Sequence, residues 1–203
     1  MHQTSSLARR LFLGFCLFTS ALTLSAADGR RYEVDSARSS VQWHGEKVGA
    51  NHTGTISLKS GWLTVAGGKI TGGEFVADMN SIVNTDLTSK GQNQKLVNHL
   101  KSNDFFNAKK FPESRFVITG VETAGAGAYQ LTGDMTIRGV TMSLKFTAAV
   151  TLDGDLLRGT AKLGFDRAKH EVKFNSGSFA TRLGDKLIYD NVPLEIELVA
   201  KAG

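Results

Sequence analysis

From Tyr129 to Val150 the chain alternates apolar and polar residues with a period of two. Leu131, Met135 and Ile137 fall on one face, and Thr132, Asp134, Thr136 and Arg138 on the other. After Arg138-Gly139 the alternation resumes, with Val140, Met142, Leu144, Phe146, Ala148 and Val150 set against Thr141, Ser143, Lys145 and Thr147. Successive strand side chains point to opposite faces, so two such runs joined by a short glycine-containing turn predict a hairpin with one apolar and one polar face. Gly139 suits the turn because it adopts positive φ without steric cost. One hairpin cannot bury its own apolar face, so the remaining chain must supply other walls.

The same period recurs elsewhere. Arg31 to Asp35 and Ser40 to Lys47 read as opening strands, the second setting Val41, Trp43 and Gly45 against Gln42, His44 and Glu46. Gly49 to Gly54 reads as a turn-rich break, with strand resuming from Thr55 to Leu58. Trp62 to Ala66 and Lys69 to Met79 form a hairpin about Gly67-Gly68, and Gly72-Gly73 predicts a bulge or a close backbone approach. Further strands are expected at Ser114 to Val121, Leu156 to Phe165, Val172 to Phe174 and Leu187 to Val199, the last setting Leu194, Ile196 and Leu198 against Glu195 and Glu197. Strands at such short intervals predict a sandwich or barrel.

Between Asn80 and Pro112 the period changes. Leu96, Val97 and Leu100 mark one face of a short amphipathic helix that Ser102-Asn103 ends. Phe105, Phe106 and Phe111 follow in a polar loop, where they must either plug one end of the β-structure or line an entrance.

The first residues read as an address. Arg9 and Arg10, the apolar run Leu11 to Leu24 and Ser25-Ala26-Ala27 have the layout of a secretory signal peptide, cleaved after Ala27. Residues 28–203 then form one domain. Of the 24 basic residues 22 remain against 19 acidic ones, scattered along the chain, which argues against a nucleic-acid surface. Cys16 is the only cysteine and departs with the signal, leaving no disulfide, thiolate ligand or cysteine nucleophile.

Candidate chemistry is sparse. His44, His52, His99 and His170 stand in no metal-ligand spacing, and there is no G-x-S-x-G nucleophile motif. Asp153-Gly154-Asp155 and Gly125-Ala126-Gly127 read as turns rather than calcium or phosphate loops. No catalysis, metal or cofactor is expected. The chain does carry an apolar excess. A barrel of about eight strands can hold one small ligand, and Met79, Met135 and Met142 with the phenylalanines would either wall an adaptable tunnel or fill an ordinary core.

Three segments carry a resemblance: Y-E-V-D-S-A-R-S-S-V from Tyr32, H-L-K-S-N-D-F-F-N-A-K-K-F-P from His99, and L-T-G-D-M-T-I-R-G-V-T from Leu131. Together they resemble the YceI-like family of secreted or periplasmic lipid- and polyisoprenoid-binding proteins, from about Arg31 to Ala200. The resemblance implies an all-β fold, an extended antiparallel lipocalin-like barrel with a helix at one end, enclosing a long amphiphilic molecule. Asp166-Arg167-Ala168-Lys169-His170 departs from the family's more usual asparagine-arginine-serine-aspartate-aromatic run, so the fold carries over and the particular ligand does not.

The expected partner is therefore a long-chain hydrophobic small molecule of isoprenoid, quinone or fatty-acid type, with a membrane only as its source; a homodimer stays open. The residues expected to line the tunnel are Trp43, Phe75, Met79, Phe105, Phe106, Phe116, Ile118, Met135, Ile137 and Phe165. Arg167, Lys169 and His170 are expected at the mouth, meeting a polar head with charge-assisted hydrogen bonds. Two rivals are an enzyme using His44 or His170 as base beside Glu46 or Asp166, and a filled barrel without ligand.

Overall fold

The alternating runs become eleven strands in the computed structural model, which describes residues 29–203. The signal-peptide reading of residues 1–27 lies outside these. The strands are β1 (Arg30–Val34), β2 (Ser40–Lys47), β3 (Ala50–Ile56), β4 (Leu58–Ala66), β5 (Lys69–Asp78), β6 (Val83–Asn84), β7 (Glu113–Gly125), β8 (Ala128–Ile137), β9 (Val140–Asp153), β10 (Leu156–Asp166) and β11 (Asn191–Ala202). One α-helix, α1 (Lys90–Lys101), stands between β6 and β7.

Hydrogen bonding runs β1-β4-β5-β7-β8-β9-β10-β11 and returns to β1, closing an eight-stranded antiparallel barrel. β9 and β10 pair only between Leu156–Ala161 and Ala148–Asp153, so the circuit closes while their ends toward Val140 and Asp166 are not hydrogen-bonded to each other. β11 holds β1 through Ala200–Ala202 and β2 through Leu194–Glu197, so β2 and its partners β3 and β6 prolong the barrel wall beyond the first circuit. The lengthened wall makes the barrel deep.

The central hairpin forms as its pattern requires, with Ile137 opposite Val140 and a two-residue turn in which Arg138 and Gly139 both take positive φ (52° and 77°). A bulge appears before Gly72: Thr64 faces Gly72 and Val65 faces Ile70, leaving Thr71 unpaired. Three expectations are corrected. The stretch from Ala50 onward is strand β3, since only Gly49 takes the left-handed conformation there (φ 73°). Val172 to Phe174 is not a strand, because Glu171 and Asn175 sit at φ 63° and 50° and turn the chain on either side. The last strand begins at Asn191 rather than Leu187.

Short turns close one end of the barrel, at Gly67-Gly68, Gly127 and Gly154. That end is filled: Tyr32, Ile118, Leu157 and Ala200 belong to one buried cluster, with Leu157 and Ala200 wholly inaccessible. At the other end lie the two long connections, residues 85–112 with α1, and residues 167–190. Arg138 ties the first of these down, donating to the carbonyls of Asn103 (2.7 Å) and Phe105.

Candidate functional site

Above the filled core the inward faces no longer meet. They enclose a cavity of about 190 Å³. Its wall is made by Trp43 on β2, Phe75 and Ala77 on β5, Phe116 on β7, Met135 and Ile137 on β8, Phe165 on β10 and Ile196 on β11. Met79 borders it from the 3₁₀ turn after β5. Leu100 of α1 with Phe105 and Phe106 covers it from the first connection, and Ile188 and Tyr189 border it from the second. A second cavity of about 110 Å³ lies toward the filled end and shares Phe75, Phe116, Met135 and Ile196 with the first. The two abut along the barrel, with those four side chains as the partition.

Glycines help make this space. The Trp43 ring lies over Gly54 on β3, Phe75 over Gly61 on β4, and Phe116 over Gly133 on β8; a Cβ at each would stand 2.4, 2.9 and 2.3 Å from the ring. The aromatics can therefore lie flat against the wall instead of filling the lumen. At about 24 cal/mol per Å³ the larger void forgoes on the order of 5 kcal/mol of packing. That is a large share of an ordinary domain's stability.

Nine of the ten residues expected to line a tunnel border the larger cavity. Ile118 is also buried, but in the filled core, where its Cδ1 approaches Gly73. Pattern reasoning put Ala77 on the inward face with Phe75 but missed Ile188, Leu194 and Ile196 as lumen residues, although the alternation of β11 already carried the signal for the last two.

The three residues expected at the mouth separate. Arg167 borders the cavity yet is only 2% exposed, and its guanidinium is committed to its own connection. Nε donates to the Tyr189 carbonyl (3.1 Å), Nη1 to those of Val172 (2.8 Å) and Phe174 (3.0 Å), and Nη2 to that of Ile188 (2.9 Å). Nη2 also stands 3.1 Å from Asp190 Oδ1 in an ion pair without hydrogen-bond geometry, so four of the five N–H groups are committed to carbonyls of the connection itself. Burial lowers the Arg167 pKa, against the opposing pull of Asp190 and Asp166. Asp190 in turn accepts from the hydroxyls of Ser176 (2.8 Å) and Ser178 (2.7 Å). Lys169 is solvent-exposed, 3.8 Å from Asp166, and does not border the cavity.

His170 is enclosed, 1% exposed, with its ring edge-on to Phe165 and Nδ1–H donating to the Val140 carbonyl (3.0 Å). Burial pushes its pKa below the ordinary value, opposed by that hydrogen bond and by Asp166. The unfolded chain then binds a proton that the folded one refuses, so this contribution to stability is complete above about pH 6.5 and shrinks as pH falls below it. His170→Asn is expected to flatten the fall in urea midpoint between neutral and mildly acidic pH; an unchanged slope would assign that dependence elsewhere. Neither His44 nor His170 borders the cavity.

A closed antiparallel barrel, filled at one end and hollow toward the other under aromatic cover, is built on the plan of the lipocalin-like barrels that hold one small ligand. The sequence matches the YceI-like domain over residues 32–200, and the chain belongs to that family. It is 28% identical over 160 residues to a UPF0312 protein of Shewanella denitrificans, spanning 77% of this chain and 81% of that one. A UPF0312 protein of Photorhabdus laumondii is 34% identical over 99 residues, 49% of this chain and 50% of that one. Among solved structures, BcnA of Burkholderia cenocepacia superposes with a TM-score of 0.65 at 23% identity, covering 83% of this chain and 99% of BcnA. A polyisoprenoid binding domain from Saccharophagus degradans gives 0.64 at 16% identity, covering 85% and 98%. These two likenesses show the fold. Among the described residues no helix is long and apolar enough to cross a membrane.

Proposed function

We propose that this protein is a carrier or store that encloses the apolar tail of a long hydrophobic or amphiphilic molecule, of isoprenoid, quinone or fatty-acid type, and performs no catalysis on it. The observation that carries this reading is the pair of abutting apolar cavities along the barrel axis. An apolar cavity of this size stays dry, so a tail entering it displaces little water and regains the forgone contacts. Each methylene taken from water contributes about 0.8 kcal/mol. The mobile thioether of Met135 between the cavities lets one tail run through both. The tail contacts Trp43, Phe75, Met79, Phe105, Phe106, Phe116, Met135, Ile137 and Phe165, and the polar head emerges beside Tyr189, which is 47% exposed while bordering the lumen. The family and the polyisoprenoid binding of the Saccharophagus degradans domain support the isoprenoid class. The layout of residues 1–27 supports export to the periplasm or beyond.

The test is mass spectrometry of an organic extract of the protein purified from its native host. One long-chain lipid in near-stoichiometric amount is expected. No lipid in the extract, together with no uptake of a long-chain fluorescent probe by the delipidated protein, would overturn the reading.

A further inference from the structure

The exposed large hydrophobic side chains gather at the hollow end of the barrel. Phe174, Phe179 and Tyr189 are 36%, 56% and 47% exposed and all belong to residues 167–190. The fourth such residue among those described, Val83 (45%), sits in β6 just before the other long connection. Phe174 packs on His99 at the end of α1 and on Phe105 (ring centroids 4.8 and 5.4 Å), so the two connections meet there over the cavity. Tyr189 runs from lumen to surface.

Charge gathers at the same end. Residues 85–112 and 167–190 carry ten basic residues against five acidic ones, whereas the rest of 28–203 carries twelve against fourteen. Arg167 is sequestered by Asp190, Lys173 pairs with Glu171 (2.7 Å), and Lys169 leans toward Asp166. Lys90, Lys95, Lys101, Lys109, Lys110, Arg182 and Lys186 form no ion pair with any described residue. Asp104, Asp86 and Asp185 are the acidic groups among them, the first two beside His99 and His52.

Exposed aromatics on the same two connections as unpaired cations suit the headgroup layer of an anionic bilayer, where aromatic rings settle and each nearby Lys or Arg is attracted to the surface. A second copy of this chain suits it less, because pairing through this face would bring two positive ends together. We propose that the hollow end of the barrel is a membrane-docking face: Phe179 and Tyr189 enter the headgroup layer of an anionic bilayer and the basic side chains meet its phosphates. The cavity entrance then opens onto the lipid, and a tail passes between bilayer and lumen without crossing water. That purpose rests on the carrier reading; the docking itself does not.

Delipidated protein is floated with vesicles of phosphatidylcholine and phosphatidylglycerol in equal parts, and with vesicles of phosphatidylcholine alone. Binding to the anionic vesicles only, weakened by added salt, is expected. The triple variant Phe179→Ser, Arg182→Glu, Lys186→Glu alters exposed side chains and is expected to reduce binding about tenfold or more. A matched reversal at the filled end, Lys69→Glu with Lys201→Glu, is expected to leave it unchanged. Absence of binding to the anionic vesicles, or equal loss from the filled-end pair, would overturn the proposal. So would a wild-type dimer that the triple variant makes monomeric, since the face would then be a self-interface. Lipid in the native extract without vesicle binding removes docking alone; vesicle binding with neither lipid in the extract nor uptake of the probe removes the carrier reading alone.

Discussion

Arg167→Leu is expected to lower stability by about 3–5 kcal/mol, read as a lower urea midpoint and as early proteolysis between Glu171 and Leu187. The guanidinium is the side chain on which more of the second long connection's hydrogen bonds converge than on any other. Four carbonyls and the Asp190 carboxylate converge on it, and it is 2% exposed. Leucine would take that donor from the four carbonyls and leave the Asp190 carboxylate, still bonded to Ser176 and Ser178, without its counter-charge beside an apolar side chain. Arg167→Lys is expected to recover little, because a compact ammonium has three donors and cannot span the fork. Arg167→Leu combined with Asp190→Leu is expected to be less harmful than Arg167→Leu alone, since it removes the stranded charge. A single Arg167→Leu variant as stable as the wild type would show that something else secures the connection.

The second large effect concerns the lumen. Ala77→Phe with Met135→Trp is expected to abolish uptake of a long-chain probe while changing the melting temperature little. Both side chains border the larger cavity, and Met135 also borders the second. Added aromatic volume has empty space to enter, so the usual overpacking cost of about 1–3 kcal/mol per site should largely be avoided. The tail, by contrast, loses both its space and its passage between the cavities. A double variant that melts well below wild type and still takes up the probe would mean that the voids are not where the ligand sits.

The rival pictures of a tunnel and a filled barrel each describe part of the molecule. Toward the short turns Tyr32, Ile118 and Leu157 close the interior. Toward the long connections the same alternation lines a void, because Trp43, Phe75 and Phe116 lie flat over glycines in neighbouring strands. Period-two patterning reports which face a residue points to, and not how far along the axis it stands or what opposes it. Ile118 and Phe116 are two residues apart on one face, and only Phe116 meets the lumen.

Legibility from the sequence was highest where the signal is local. The central hairpin, its Arg138-Gly139 turn, the bulge before Gly72 and the helix ending before Ser102 all follow from spacing and turn chemistry. So does the inward face carrying Phe75, Met135 and Ile137, since a strand with one polar and one apolar face has only one way to bury the latter. Residues 49–54 and 172–174 were misread because glycine content and short apolar runs are ambiguous without knowing which strand lies alongside.

What the sequence by itself determined is the all-β class, the register of its hairpins and the face each strand turns inward, because those depend on neighbours a few residues away. The tertiary structure alone decided that the barrel closes through β11 and β1, that the lumen is hollow at one end, and which charges remain free. Arg138 and Arg167 show the reason. On the chain each is an isolated cation at a strand end; in the fold one is clamped to the loop of Asn103 and Phe105, and the other is buried among carbonyls up to 22 residues away. A charge's partner is set by which segments the barrel brings to its rim, and no local period records that.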